Sequence, residues 1–266
     1  MRSRASIHKR TGRIQAAMNR LRSLPARVAA LLFASLLMIA GSPVLAQSAD
    51  DPTMQPAVAL LEQGRTARSA QTLTEARNGF SKLIEQHPDN ARYFYERALT
   101  GSYLADAYAG QGDKKNAGKA LDDAINDAQE SLKLNEPSAD THSLLADLYG
   151  HKIGLGTTMF AGPRFGPKVQ SENKRALEID ANNPRVYASL GRQYLEAPKQ
   201  FGGDLDKAIA NFRKSTELDP KSDETWVWLS IALRRKNQQK DADYALNQAL
   251  QLNPQSAFAK QTAQGK

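Results

Sequence analysis

The fold is decided by the stretch Asp223–Pro254, which reads DETWVWLSIALRRKNQQKDADYALNQALQLNP. Apolar and small side chains recur at helical intervals in both halves of it, at Trp226, Leu229, Leu233, Ala242, Leu246 and Ala249. A recurrence of three and four residues marks one face of an α-helix. The alanines allow two helices to cross closely, and the proline ends the second helix. The stretch therefore predicts a pair of antiparallel helices.

The same pattern occurs four more times upstream, in weaker form. The copy before it has Tyr187, Leu190, Gly191, Tyr194, Ala208, Phe212 and Pro220 at the corresponding places. Earlier copies are marked by Leu145 and Tyr149, by Leu104 and Tyr108, and by Gly64 and Phe80. We count five repeats between Ala57 and about Gln255. Because one helical pair cannot bury its apolar face alone, the repeats are expected to stack.

These marker positions resemble those of the tetratricopeptide-repeat (TPR) family. The resemblance implies an all-α solenoid of about five helical hairpins, two of them with lengthened inter-helix loops. It also implies that function lies on the concave face, which the first helix of each repeat lines. Residues 166–220 are similar to exported bacterial TPR proteins with a P-x-x-F-G-G turn and, more weakly, to the TPR component associated with TRAP-type transporters. The chain lacks the lipid-anchor cysteine of that component.

The family's groove positions, carried over residue by residue, give a candidate partner-binding face. In the last two repeats this face contains Arg185, Arg192, Glu224, Val227, Ile231, Arg234 and Arg235. In the third repeat it contains Asp140, Asp147 and His151. The groove is therefore expected to be basic at its C-terminal end and acidic near its middle. The arginines would hold an acidic peptide or a terminal carboxylate by forked hydrogen bonds. An ordinary solvated charged surface is the competing interpretation.

The two lengthened connections are the most individual features of the sequence. One runs through HKIGLGTTMFAGPRFGPK at residues 151–168, and the other through residues 196–203. Their apolar residues Met159, Phe160, Phe165 and Phe201 are candidate ligand contacts. Loops on a rigid scaffold often carry function. In the ligand-binding interpretation, the 152–168 loop closes a cavity. The simpler interpretation is that Phe165 and Phe201 pin the loops to helix ends.

The charge distribution indicates a leader segment. The chain of 266 residues has a formal net charge of +8, yet residues 1–46 contain eight basic side chains and no acidic one. From Gln47 onward the 28 basic residues that remain balance 28 acidic ones. A basic stretch, an apolar run at residues 28–40 and small residues up to Ala46 are typical of a secretory signal peptide. We expect cleavage after Ala46, with Met18 as an alternative start and an uncleaved anchor as the rival interpretation.

The expected domain organisation and compartment follow from this leader. We expect residues 47–56 to form a flexible lead-in, residues 57–256 the solenoid, and residues 257–266 a partial capping helix and tail. The mature protein is expected in the periplasm or medium, with no membrane insertion after leader removal. With charge balanced beyond the leader, no nucleic-acid partner is expected.

The sequence contains no recognisable catalytic chemistry. The chain has no cysteine, which excludes disulfides, thiolate metal sites and cysteine nucleophiles. It has no H-E-x-x-H motif, P-loop or nucleophile elbow. We therefore expect no enzyme activity, no cofactor and no metal.

The sequence favours a non-catalytic scaffold that binds a protein or peptide in the bacterial cell envelope. The alternative is a small-molecule- or lipid-binding accessory of a TRAP-like envelope transporter. A helper repeat domain for an envelope enzyme is a third interpretation. The identity of the partner and homo-oligomerisation stay open.

Overall fold

The computed structural model describes residues 51–135, 137–156 and 160–265 of the chain. These residues form eleven α-helices and one 3₁₀ turn, with no strand among them. The α-helices are α1 (Gln55–Ala67), α2 (Ala70–Gln86), α3 (Ala91–Gly110), α4 (Lys114–Leu134), α5 (Ala139–Leu155), α6 (Ala161–Ile179), α7 (Pro184–Glu196), α8 (Leu205–Leu218), α9 (Asp223–Arg235), α10 (Gln239–Leu252) and α11 (Ala257–Ala263). The 3₁₀ turn is Lys199–Phe201. The expected leader, residues 1–46, lies outside the described residues.

Most helices begin at a polar side chain that accepts a hydrogen bond from a backbone N–H of the first turn. These N-caps are Ser69, Asn90, Asp113, Ser138, Asn183, Asp204, Ser222 and Ser256. Such a bond satisfies a donor that has no partner inside the helix, and it typically stabilises the helix by about 1 kcal/mol. The local sequence therefore sets where each hairpin begins.

Consecutive helices pair into five hairpins, from α1/α2 to α9/α10, and α11 packs on the last. Small residues allow the close crossings. A Cβ atom on Gly191 would lie 2.6 Å from the ring of Phe212, which is fully buried. Ala208, Ala242 and Ala249 are also fully buried. The all-α solenoid of five helical hairpins is confirmed.

The third repeat differs from the sequence prediction of a long inter-helix loop. Helix α5 continues to Leu155, and α6 begins at Ala161. Helix α6 tolerates Pro163 in its first turn, where N–H groups lack helical partners, although Pro167 removes one hydrogen bond further along. The continued helix places Phe165 against Tyr149, with ring centroids 5.9 Å apart. The connection is thus shorter than predicted, and Met159 lies outside the described residues.

The fourth repeat does have a lengthened connection. Its conformation depends on two glycines and not on the ring of Phe201. Gly202 has φ +94°, a conformation that side chains disfavour. A Cβ atom on Gly203 would lie 1.8 Å from the carbonyl oxygen of Ala197. Phe201 is 65 % exposed, so the prediction that its ring pins the loop is wrong. Phe160, in the turn of the third repeat, is likewise exposed.

The first two repeats meet the last repeat and α11, and we call the contacts between them the seam. Arg65 on α1 forms an ion pair of 3.0 Å with Asp223 on α9. Arg68 lies 4.4 Å above the ring of Phe258 on α11. Other seam hydrogen bonds join Arg68 to Gln261, Thr66 to Asn253, and Tyr103 to Glu224. Residues 51–265 therefore form a closed ring of hairpins, which the sequence did not predict.

Residues Asp51–Lys266 make up one compact unit. Its core runs through the first three repeats as one cluster, and smaller clusters join the last two repeats to α11. A chain that begins at Gln47 therefore contains the whole of this core.

Candidate functional site

The ring encloses a central cavity of about 280 Å³. All five repeats contribute to its lining, chiefly through their first helices α1, α3, α5, α7 and α9. The lining side chains on α5 are Asp140, Ser143, Leu144, Asp147 and His151, and those on α7 include Arg185, Ala188 and Arg192. Such intervals of three and four residues keep one stripe of each helix facing inward.

The charged side chains of the central cavity are mostly acidic. The seven carboxylates are Glu62, Asp106, Asp140, Asp147, Asp219, Asp223 and Glu224. The four cationic side chains are Arg65, Arg185, Arg192 and Lys221. With histidine neutral, the lining therefore carries a formal charge of −3.

Two ion pairs in the cavity lining join different repeats. Arg192 on α7 forms a forked pair with Asp147 on α5, in which its Nε lies 3.1 Å from one carboxylate oxygen and an Nη contacts the other. The Arg192 guanidinium also lies 6.0 Å from the ring centroid of Trp228. The second pair is Arg65 with Asp223 at the seam, and Arg65 also contacts Glu62 at 2.8 Å.

Comparisons with known proteins agree with this architecture. The family model described as "Tetratricopeptide repeat" matches residues 58–90 and residues 200–222. A thermophilic TPR protein of Thermus thermophilus has a similar structure, with a TM-score of 0.59 and 15 % identity, covering 79 % of this chain and 94 % of that one. The chain therefore contains tetratricopeptide repeats and has the fold of a TPR protein.

A curated mouse protein is similar in sequence to part of this chain. It is the DnaJ homolog subfamily C member 7 of Mus musculus, which is 28 % identical over 187 residues. The match covers 70 % of this chain but 32 % of the mouse protein, so the chain spans about a third of that relative. The TPR fold implies a scaffold for protein–protein interaction, and TPR proteins are generally non-catalytic.

The structure gives internal partners to three of the four arginines predicted to hold an acidic peptide. Arg192 is paired with Asp147 as described above. Arg234 donates to the carbonyl oxygen of Thr262 at 2.5 Å, and Arg235 donates to that of Leu195 at 2.9 Å. These bonds tie α9 to α11 and to α7, and neither Arg234 nor Arg235 lines the central cavity. Arg185 alone of the four is loosely held, 3.9 Å from the Asp140 carboxylate.

The remaining predicted groove residues of the last repeat divide between cavity and core. Glu224 lines the central cavity, but Val227 is fully buried and packs with α10 and α11. Ile231 packs beside it and does not line the cavity. Trp228 takes the inward place instead. The reason is that α11 covers the face of α9 to which the family's groove positions point.

Sequence reasoning missed the contribution of the first two repeats. Tyr95, Leu99, Tyr103 and Asp106 on α3 all line the central cavity. Their spacing of three to four residues indicates one face of a helix. The sequence does not show which face of α3 lines the cavity, because that depends on the closure of the ring. Tyr103 donates to Glu224 across the seam at 2.9 Å.

Burial changes the ionisation of the two cavity tyrosines. Burial raises the pKa of Tyr95 to about 12. Burial, together with the nearby Glu224 carboxylate, raises the pKa of Tyr103 well above its usual value of 10. Both phenols therefore keep their protons at neutral pH, and Tyr103 is a hydrogen-bond donor there.

Neither a metal site nor a membrane-spanning helix is found in the described ranges. Within residues 51–135, 137–156 and 160–265, no three His, Asp or Glu side chains are grouped so as to hold a metal ion. Over the same ranges, every helix is too short or too polar to cross a bilayer.

Proposed function

We propose that this TPR protein is a non-catalytic adaptor of the bacterial cell envelope that holds a partner protein in its central cavity. The observation that carries the proposal is the cavity itself, to which all five repeats contribute side chains. A binding site assembled from every repeat is rigid because each lining helix is fixed by the packing of its own hairpin. Rigid sites lose little conformational entropy when they bind.

The closed ring limits which parts of a partner can reach the cavity. The hairpins and the seam surround the cavity, which stays partly open to solvent. A narrow segment, such as a chain end or an extended loop, fits this access better than a folded surface does. Extended peptides are commonly recognised through pockets for alternate side chains.

The envelope location rests on the N-terminal sequence. Residues 1–46 combine a basic stretch, an apolar run and small residues before the expected cleavage site. In an osmotic-shock extract of cells that express the full chain, we expect a mature N-terminus at Gln47, identified by mass spectrometry. Intact chain found only in the membrane or cytoplasmic fraction would contradict the envelope location.

The partner-binding proposal is tested by narrowing the cavity. Leu99 lines the cavity, whereas Leu134 is 38 % exposed and outside it. The chain from Gln47 onward is used to capture proteins from envelope extract, beside its Leu99→Trp and Leu134→Trp variants. We expect a partner that Leu134→Trp retains and Leu99→Trp loses, with both variants keeping a helical circular dichroism spectrum. A partner retained equally by both variants would place binding elsewhere.

The enclosed cavity also favours the alternative function, a small-molecule- or lipid-binding accessory of a TRAP-like transporter. Ligand pockets are commonly cavities of roughly 300–1,000 Å³, and this one is close to the lower limit. Native mass spectrometry of protein purified from its own host distinguishes the two. A retained small molecule, lost in Leu99→Trp, supports the accessory function, whereas a ligand-free protein with a captured partner supports the adaptor.

A further inference from the structure

The carboxylates of the central cavity exceed the cations available to neutralise them. Arg65 is shared between Glu62 and Asp223, and Arg192 is occupied by Asp147. These two arginines therefore already face three carboxylates. One negative charge is left over among these five groups, and the other two units of the net charge lie elsewhere in the lining.

Glu224 and Asp106 carry most of this surplus. Glu224 accepts a hydrogen bond from the neutral phenol of Tyr103 and forms no ion pair within 4 Å among the described side chains. Asp106 lies 3.5 Å from His151, the one ion-pair partner it has among the described side chains. Both acids and Tyr103 also border a smaller recess beside the seam, which Arg65 and Arg68 line as well. A carboxylate has about four acceptor sites, so each acid can accept further hydrogen bonds.

Aromatic rings line the same cavity and suit the same kind of occupant. Tyr95, Tyr103 and Trp228 all contribute to the lining. The face of an aromatic ring attracts a cation, and Trp is the strongest of the three types. The Arg192 guanidinium near the ring of Trp228 shows that a cation is already accommodated in this way. Burial and Glu224 keep Tyr103 protonated, so its hydroxyl group adds no negative charge and orients the carboxylate.

We infer that the central cavity binds a cationic, unfolded segment of the partner, one that carries lysine or arginine side chains. This inference rests on the proposed function and reverses the acidic peptide that the sequence predicts. The side-chain ammonium or guanidinium group would lie between the carboxylates of Glu224 and Asp106 and the aromatic rings. The net charge of −3 on the lining would steer such a segment into the cavity.

The first test compares two labelled pentapeptides in fluorescence anisotropy, with the chain from Gln47 onward. One peptide contains three lysines and the other has glutamate at the same three places. We expect the lysine peptide to bind at least about tenfold more tightly, and its affinity to fall steeply between ~0.05 M and ~0.5 M NaCl. Equal binding of the two peptides, or preference for the glutamate peptide, would overturn the inference.

The second test removes the surplus charge without changing side-chain shape. Glu224→Gln with Asp106→Asn is compared with Glu85→Gln and Asp241→Asn, two exposed acids on α2 and α10. We expect the cavity pair to weaken lysine-peptide binding by about tenfold or more and the control pair to change it less than about twofold. Equal effects of the two pairs would mean that general surface charge explains the binding.

Two further experiments distinguish a failure of this inference from a failure of the proposed function. Spermine that binds as tightly as the lysine peptide, with the same loss in the cavity pair, would contradict a protein segment as the occupant. The envelope partner captured above is retested with the cavity pair. A partner that Leu99→Trp loses and the cavity pair retains would leave the adaptor function standing and overturn the cationic ligand.

Discussion

Replacing Arg65 with alanine tests whether the seam stabilises the protein. The guanidinium of Arg65 contacts Asp223 at 3.0 Å across 158 residues of sequence, and the two side chains are 19 % and 10 % exposed. Removing one partner of a fully buried ion pair typically costs about 3–5 kcal/mol. Here the Asp223 carboxylate keeps a hydrogen bond of 2.9 Å from Asn253, and it lies in the first turn of α9, where negative charge is favoured. We therefore expect a loss of about 1–3 kcal/mol.

Arg77→Ala is the matched control. Arg77 forms an ion pair of 2.9 Å with Asp123, and both side chains are about a third exposed, at 32 % and 33 %. An exposed pair of this kind contributes about 0–1 kcal/mol. Urea unfolding followed by circular dichroism measures both variants in the chain from Gln47 onward.

A double-mutant cycle completes this test. Arg65→Ala combined with Asp223→Asn should show a coupling of about 0.5–3 kcal/mol, because the two side chains are in contact. If the repeats formed an open stack, residues 158 positions apart would not couple. A coupling near zero, with Arg65→Ala no more destabilising than Arg77→Ala, would refute the seam.

Three other predictions concern packing and ionisation. Gly191→Ala should destabilise the protein by about 1–3 kcal/mol, because its Cβ would overlap a buried ring, whereas Gly118→Ala, with open space around it, should be neutral or stabilising by up to about 1 kcal/mol in thermal melts. Phe165→Ala should lower the free energy of unfolding by about 1–3 kcal/mol, because the ring packs on Tyr149. Phe160 is 70 % exposed, so Phe160→Ala should lower it by less than about 0.5 kcal/mol. Equal losses in the two variants would contradict the continued helix. Burial raises the pKa of Tyr95 from 10 to about 12, so the protonated phenol stabilises the folded state below pH 10. This contribution to the free energy of unfolding is lost as the pH rises towards 12. In urea titrations, Tyr95→Phe should therefore lose less stability than the unchanged protein between pH 10 and pH 12.

Local features of the fold were predictable from the sequence because short stretches of chain determine them. The helical spacing around Trp226 and Leu229 and the proline that follows Asn183 depend on neighbours within a few turns. Helix α7 begins with Asn183 as its N-cap, as its local sequence indicates. The groove positions predicted in the third and fourth repeats, such as Asp147 and Arg192, do face the central cavity.

The features that escaped prediction depend on distant parts of the chain. Ring closure results from small rotations between successive repeats, which no single repeat encodes. The carbonyl groups to which Arg234 and Arg235 donate lie 28 and 40 residues away, so these hydrogen bonds could not be inferred from groove positions. In the last repeat, the short helix α11 covers Val227, and the family's register fails there for that reason. The lining is acidic because Arg234 and Arg235 do not reach it, whereas carboxylates on α1, α3 and α9 do.

The most direct test of the closed ring is a distance between its two ends in solution. The chain has no cysteine, so spin labels can be placed on single introduced thiols at Ala67→Cys on α1 and Gln264→Cys beside α11, both exposed positions. Pulsed electron resonance should give one narrow distribution at the short separation expected for packed helices, whose axes lie about 8–10 Å apart. A broad distribution centred on a much longer distance would mean that the repeats form an open stack, and it would contradict the enclosed cavity on which the proposed binding mode depends.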